Sequence, residues 1–297
     1  MSELPFVAEP PGDAAAATRA AEFAADRWGL QPPIWIRTGM NALFSAGGDV
    51  VLRVSRPTAP PEQAIWLAHA LRRRGIRVPL PFRDHALTVD GLAVVAIERL
   101  TDEREPDWAA VGEMVALVHS WSAAEVIGNY PLPRCSSFPW WNASVLLAEV
   151  DDLLDEPARR GLVAALTEHG GWVDHVTTEA VCHGDVHPGN VLRGEDGPVL
   201  IDWDLLCLGP VAWDHAPLLT WAQRWGGAAE AYDDFAAGYG ASLRADPLAE
   251  SLAAMRNLVA TLMRVKAGRT NDAAAREAES RLRFWRGDPD APQWHAQ

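Results

Sequence analysis

The segment His183-Gly184-Asp185-Val186-His187-Pro188-Gly189-Asn190 constrains this 297-residue chain more than any other. Asp185 and Asn190 stand five positions apart, and Pro188 and Gly189 between them favour a loop over a helix or strand. A short apolar run follows, then the turn signal Gly194-Glu195-Asp196-Gly197. A second apolar run ends at Ile201-Asp202-Trp203-Asp204. Two such runs about a short Gly-rich turn read as a hairpin, which returns the chain to its starting point. Asp202 is therefore expected at a hairpin's distance from Asn190. A carboxylate can accept a proton from a hydroxyl. An amide oxygen and a second carboxylate are donors that a hard divalent cation prefers.

Composition narrows the setting. Hydrophobic residues make up 48% and charged residues 22%, as in an ordinary globular protein. No run of about 18 apolar residues occurs, so no membrane partner is expected. The N-terminal residues lack a basic segment followed by an apolar core, which reads as a cytoplasmic protein. Cys135, Cys182 and Cys207 are few and widely spaced, consistent with reduced thiols rather than a disulfide frame or a zinc site. The net charge of -14 argues against nucleic acid as a partner and tolerates a cationic small molecule without requiring one. Lys266 is the only lysine, so any phosphate contact in the first half must come from arginine or backbone N–H groups.

The periodicities divide the chain. A helix is expected over 13–28, with Phe23 and Trp28 on its repeat. Strands follow at 34–36, 42–44 and 50–54, a helix at 62–74, and strands at 86–89 and 92–97. After a hinge at Glu98-Arg99-Leu100 the pattern turns helical. Trp108, Val111, Met114, Val115, Val118 and Trp121 form an amphipathic stripe. Further helices are expected at 143–155, 157–168, 210–224, 228–242, 247–268 and 272–285.

The Asp185–Asn190 loop and the Ile201-Asp202-Trp203-Asp204 run resemble the catalytic loop and metal-binding segment of the aminoglycoside phosphotransferase-like family. Members of that family are small-molecule kinases. The resemblance implies an α+β, two-lobed protein-kinase-like fold with a small β-rich N-lobe and a larger, mainly helical C-lobe. Residues 1–98 would cover the nucleotide, and residues 99–297 would carry catalysis and substrate binding. It implies Asp185 as the base, Asn190 and Asp202 as Mg²⁺ ligands, and ATP or GTP as phosphate donor. His183 would brace the loop. Asp214, in Gly209-Pro210-Val211-Ala212-Trp213-Asp214, would tie the following helix to it. Asp204 either binds a second metal or caps a turn, with a metal-adjacent place the expectation. His187 either approaches the metal or phosphates or orders the loop.

In the first lobe, Thr38-Gly39-Met40-Asn41 fits a turn whose backbone N–H groups, at Gly39 and Asn41, approach the nucleotide. Arg53 occupies the position where protein kinases place lysine, and its fork of donors suits phosphate oxygens. Glu62, early in the next helix, is the candidate partner for Arg53, with favourable placement at a helix N-terminus as the plainer explanation.

The acceptor is expected to be a small-molecule hydroxyl, aminoglycoside-like or another amino or sugar alcohol. Asp151, Asp152, Asp155, Glu156, Glu230, Asp233 and Asp234 would attract a cationic one, although most read as solvated helix faces. The 14 tryptophans could stack on sugars but are more commonly core residues. A monomer or weak homodimer is expected. Two alternatives stand beside the kinase. One is a metal-dependent hydrolase with His183, Asp185, His187 and Asp202 as ligands. The other is a catalytically silent nucleotide-binding member of the same family.

Overall fold

The computed structural model describes Pro11 and residues 13–57, 59–100 and 105–295. Helix α1 (Ala14–Trp28) opens at Asp13, whose carboxylate accepts the Ala15 N–H at 2.8 Å, and closes at Gly29. Its buried stripe is Ala17, Ala20, Ala21, Ala24, Ala25 and Trp28, packed on Ala42, Phe44, Leu52 and Val94 of the sheet. Alanine at five of the six stripe positions lets the helix approach the strands closely. Phe23, expected on the buried repeat, is instead 53% exposed, because it falls between the rows of that stripe.

The sheet comprises β1 (Ile34–Thr38), β2 (Ala42–Ser45), β3 (Val50–Ser55), β4 (Leu87–Val89) and β5 (Leu92–Glu98), in the order β1-β2-β3-β5-β4. Every pairing is antiparallel. Helix α2 (Pro61–Arg73) lies between β3 and β4 in sequence and starts with proline at its first position, where no N–H is needed.

Beyond β5 the chain runs through α3 (Trp108–His119), α4 (Ala123–Ile127), α5 (Ala143–Glu149) and α6 (Glu156–His169). Four short strands that form two pairs follow: β6 (Ala180–Cys182), the hairpin β7 (Val191–Gly194) and β8 (Gly197–Leu200), and β9 (Cys207–Gly209). Helices α7 (Ala212–Leu219), α8 (Trp221–Trp225), α9 (Ala231–Tyr239), α10 (Pro247–Ala267) and α11 (Asp272–Trp285) complete the described chain. The expected helix 143–155 stops at Glu149, because Asp155 caps the next helix through the Ala158 N–H. The expected helix 210–224 is divided into α7 and α8. Pro217 cannot donate to the Trp213 carbonyl, and the helix breaks within a turn of it.

Two compact units result. The first holds the described residues of Met1–Asp107 with Ser120–Leu132 and Asn190–Leu206. The second holds Trp108–His119, Pro133–Gly189 and the described residues of Cys207–Gln297. The hairpin β7–β8 joins the first unit through Arg77, whose carbonyl accepts the Leu200 N–H at 2.9 Å and whose Nε donates to the Pro198 carbonyl at 2.8 Å. In the second unit the long helix α10 buries Leu252, Ala253, Met255, Leu258, Val259 and Leu262. The protein is thus α+β, with a small antiparallel sheet unit and a larger helical one. Among the described residues no helix is long and apolar enough to cross a membrane.

Candidate active site

In the helical unit, β6 and β9 pair antiparallel with Cys182 opposite Cys207, and β6 delivers the chain into His183. The loop backbone is then fixed by Asp214 from the first turn of α7. Its carboxylate accepts the His183 N–H at 2.7 Å and the Gly184 N–H at 2.8 Å, with His119 Nε2 at 3.1 Å. Burial would raise the carboxyl pKa of Asp214, but its hydrogen bond to His119 and the nearby His119 and His183 hold it below the usual carboxylate value. Trp213 adds a bond from Nε1 to the Gly184 carbonyl at 3.1 Å. Gly184 itself has φ 97°, a conformation that favours glycine.

The two loop histidines repeat one device. His183 Nδ1 accepts the Asp185 N–H at 3.2 Å, and His187 Nδ1 accepts the Gly189 N–H at 3.1 Å. A backbone N–H can only donate, so Nδ1 of each ring carries no proton and Nε2 does. That proton of His187 faces Asp185, with Nε2 3.4 Å from Oδ2. Gly189 is needed for this arrangement, since a Cβ there would lie 2.7 Å from His187 Cε1.

Asp185 Oδ1 is met by the guanidinium of Arg256 from α10, and Arg256 Nη1 also donates to the Gly184 carbonyl at 3.3 Å. Burial acts to raise the pKa of Asp185. His187, then Arg256 and His183, outweigh it and hold the carboxyl well below the ordinary range. Arg256 was not among the residues expected from sequence. Its signal was an arginine between the buried neighbours Met255 and Asn257 in a mostly apolar stretch.

In the sheet unit, Asn190 and Asp202 flank the β7–β8 hairpin. Val191 pairs with Leu200, and the Ile201 N–H donates to the Asn190 carbonyl at 3.0 Å. Asn190 is buried. Asp202 adopts φ 63° and ψ 63°, a left-handed conformation uncommon outside glycine and stored most readily at functional positions. Arg53, in the middle of β3, forms an ion pair with Asp204 and lies 4.0 Å from Asp202. Burial disfavours its charge, but Asp204 and Asp202 more than compensate and raise its pKa.

Glu62 does not pair with Arg53. It is exposed on the first turn of α2, where the helix dipole favours an acid, and Asp204 takes the guanidinium instead. In the Thr38–Asn41 turn the Gly39 N–H donates to the Asn41 carbonyl at 3.0 Å, so that donor is already used within the hairpin.

Among the described residues, His183, Asp185 and His187 are not grouped as converging metal ligands. Among the described residues, the three-residue grouping with converging ligand atoms is His119, Cys182 and Asp214. Its carboxylate already accepts three donors, and the Cys182 thiol faces backbone carbonyls at 3.5–3.6 Å. These groups are satisfied as a core knot.

The acidic residues expected to attract a cation are largely committed elsewhere. Asp151 pairs with Arg159, Asp152 with Arg269, Asp155 with Arg286 and Asp233 with Arg244. Trp213 is core and packs against Trp141 and Trp172. The helical unit also holds a cavity of about 560 Å³ lined by residues such as Thr220, Arg224, Asn257 and Phe284, with none from the loop 183–190.

Comparison with known proteins agrees with this architecture. The family model described as the phosphotransferase enzyme family matches residues 41–258. No curated protein matches the chain in sequence. A spectinomycin phosphotransferase solved with ADP and spectinomycin is 13% identical over 86% of this chain and 89% of its own, with a TM-score of 0.63. A choline/ethanolamine kinase family protein from Mesorhizobium loti is 17% identical over 94% and 95%, with a TM-score of 0.64. The GDP complex of aminoglycoside 2'-phosphotransferase-IIIa is 17% identical over 91% and 97%, also at 0.64. Likeness at such identities establishes a shared fold, and the family match covers well over half the sequence. The chain belongs to the phosphotransferase enzyme family and is a small-molecule kinase.

Proposed function

We propose that this kinase moves the γ-phosphate of ATP or GTP to a hydroxyl of a small molecule, an aminoglycoside-like compound or another amino or sugar alcohol. Asp185 receives the acceptor hydroxyl, and Asn190 and Asp202 hold Mg²⁺. The observation that carries this reading is the state of Asp185. Its carboxylate is ionised, partly exposed and held at both oxygens, on a loop whose backbone is anchored by Asp214.

Phosphoryl transfer asks the protein mainly for positioning and charge neutralisation. A carboxylate with a lowered pKa is a weak base, so Asp185 chiefly orients the hydroxyl and takes its proton late. Such behaviour suits a transition state in which the transferred group is loosely bound to both oxygens. The donors flanking the β7–β8 hairpin, a buried amide and a carboxylate held in a strained backbone, fit a hard divalent cation. When bound, Mg²⁺ would neutralise charge on the triphosphate. Arg53 supplies the cationic contact to phosphate, and Asp204 holds the guanidinium in the meantime. His187 orients Asp185 and orders the loop through Gly189.

Two of the solved neighbours bind ADP or GDP, and one of these also binds spectinomycin, which supports nucleotide use and a hydroxylated acceptor here. The acidic residues of the helical unit are mostly paired with arginine, so a cationic acceptor is not required. The test is nucleotide consumption across amino sugars, aminoglycosides, macrolides, choline-like alcohols and simple sugars, with mass spectrometry of the products. One compound is expected to gain a single phosphoryl group in the presence of Mg²⁺. Nucleotide that neither binds nor turns over under any condition would contradict the proposal.

A further inference from the structure

We propose that Arg256 is a positioning residue for phosphoryl transfer, fixing the Asp185 side chain to the loop backbone and so setting the direction in which its carboxylate meets the acceptor. The inference rests on Asp185 having the role given above, and it goes beyond that role by naming what sets its orientation.

Asp214 and His183 hold the loop backbone, but they leave the Asp185 side-chain torsions free. Arg256 removes that freedom. One arm of its guanidinium donates to the carbonyl of Gly184 at 3.3 Å, and the other meets Oδ1 of the next residue, Asp185. A planar fork bridging a backbone carbonyl and the adjacent side chain sets the angle between them, which a point charge cannot do. His187 bounds the other oxygen, Oδ2, from 3.4 Å.

The clamp is itself rigid. The guanidinium carbon lies 5.8 Å from the ring centre of Trp141 and 5.9 Å from that of Trp213, and those rings pack together at 4.5 Å. Trp213 donates to the same Gly184 carbonyl at 3.1 Å. The backbone of Arg256 belongs to a 21-residue helix capped by Asp246 through the Ala249 N–H. The Arg256 side chain is 17% exposed and that of Asp185 28%, so solvent reaches the carboxylate more freely than the clamp. That exposure leaves room for an acceptor hydroxyl.

The test is a double-mutant cycle on Asp185→Asn and Arg256→Ala. The readout is slow hydrolysis of MgATP or MgGTP, in which water replaces the acceptor and no substrate need be known. Arg256→Ala should lower kcat by roughly 10²-fold, the cost of misplacing a reacting group by about 1 Å, with nucleotide KM nearly unchanged. In the Asp185→Asn background it should cost nothing further, because Arg256 acts only through that carboxylate. Guanidinium ion added to Arg256→Ala should restore activity, and Arg256→Lys should recover only part of it.

Arg256→Ala turning over at the wild-type rate would overturn the proposal. So would a full additional loss in the double variant, which would mean that Arg256 acts independently of Asp185. Full turnover by Asp185→Asn alone would instead defeat the role given to Asp185. If Arg256→Ala melts before assay, the same comparisons are made with Arg256→Lys.

Discussion

Asp185→Asn should lower kcat by about 10²–10⁴-fold, the range typical of removing a general base, with nucleotide affinity essentially unchanged. Asparagine preserves size and can still accept from Arg256 through its amide oxygen. What it loses is the negative charge and the capacity to take a proton. A loss confined to kcat is the signature of an interaction used in the transition state. A rise in nucleotide KM with normal kcat would assign Asp185 to binding. Steady-state hydrolysis and acceptor phosphorylation, measured side by side, distinguish these outcomes.

The second large effect is on stability. Asp214→Ala should destabilise the protein by about 3–5 kcal/mol, since each buried donor left without its acceptor costs about 1–3 kcal/mol. The change strands three donors at once: the N–H groups of His183 and Gly184 and Nε2 of His119. A melting-temperature drop of roughly 6 °C or more follows from that figure. The effect also has a pH signature. The folded-state pKa of Asp214 is depressed, so its stabilisation is present above the unfolded carboxylate value of about 3.9 and is lost as pH falls through the folded value. The gap between wild type and Asp214→Ala should therefore narrow on acidification below about pH 4. Calorimetry at neutral and acidic pH checks both statements. Equal melting temperatures at neutral pH would contradict them.

Much of the arrangement was legible before any coordinates, and the parts that were not share a physical cause. The octet 183–190 and the segment ending at Asp204 are local patterns in which turn residues and a hairpin dictate the geometry. The structure accordingly forms a hairpin beginning beside Asn190 and ending beside Asp202. The strand-rich first third and the helical remainder follow from periodicity in the same way.

Long-range choices were less visible. For Arg53 the sequence offered Glu62, 9 positions away, whereas its partner Asp204 lies 151 positions away and was not expected in that role. Arg256 lies 71 positions from Asp185, and no local pattern linked them. Phe23 shows the limit of aromatic bias, because alanines occupy the stripe that packs against the sheet. The acidic residues 151, 152, 155 and 233 read as solvated faces until their arginine partners came into place, those of Asp152 and Asp155 from 117 and 131 positions away.

The central claim is best tested by electron paramagnetic resonance of Mn²⁺, standing in for Mg²⁺, titrated with a non-hydrolysable triphosphate into wild type, Asp202→Ala and Asn190→Ala. Affinity for the metal–nucleotide pair should fall at least about tenfold in each variant, since even partners outside the ligand shell commonly matter that much. Identical binding by all three proteins would show that these oxygens do not hold the metal, and the account of the site would fail.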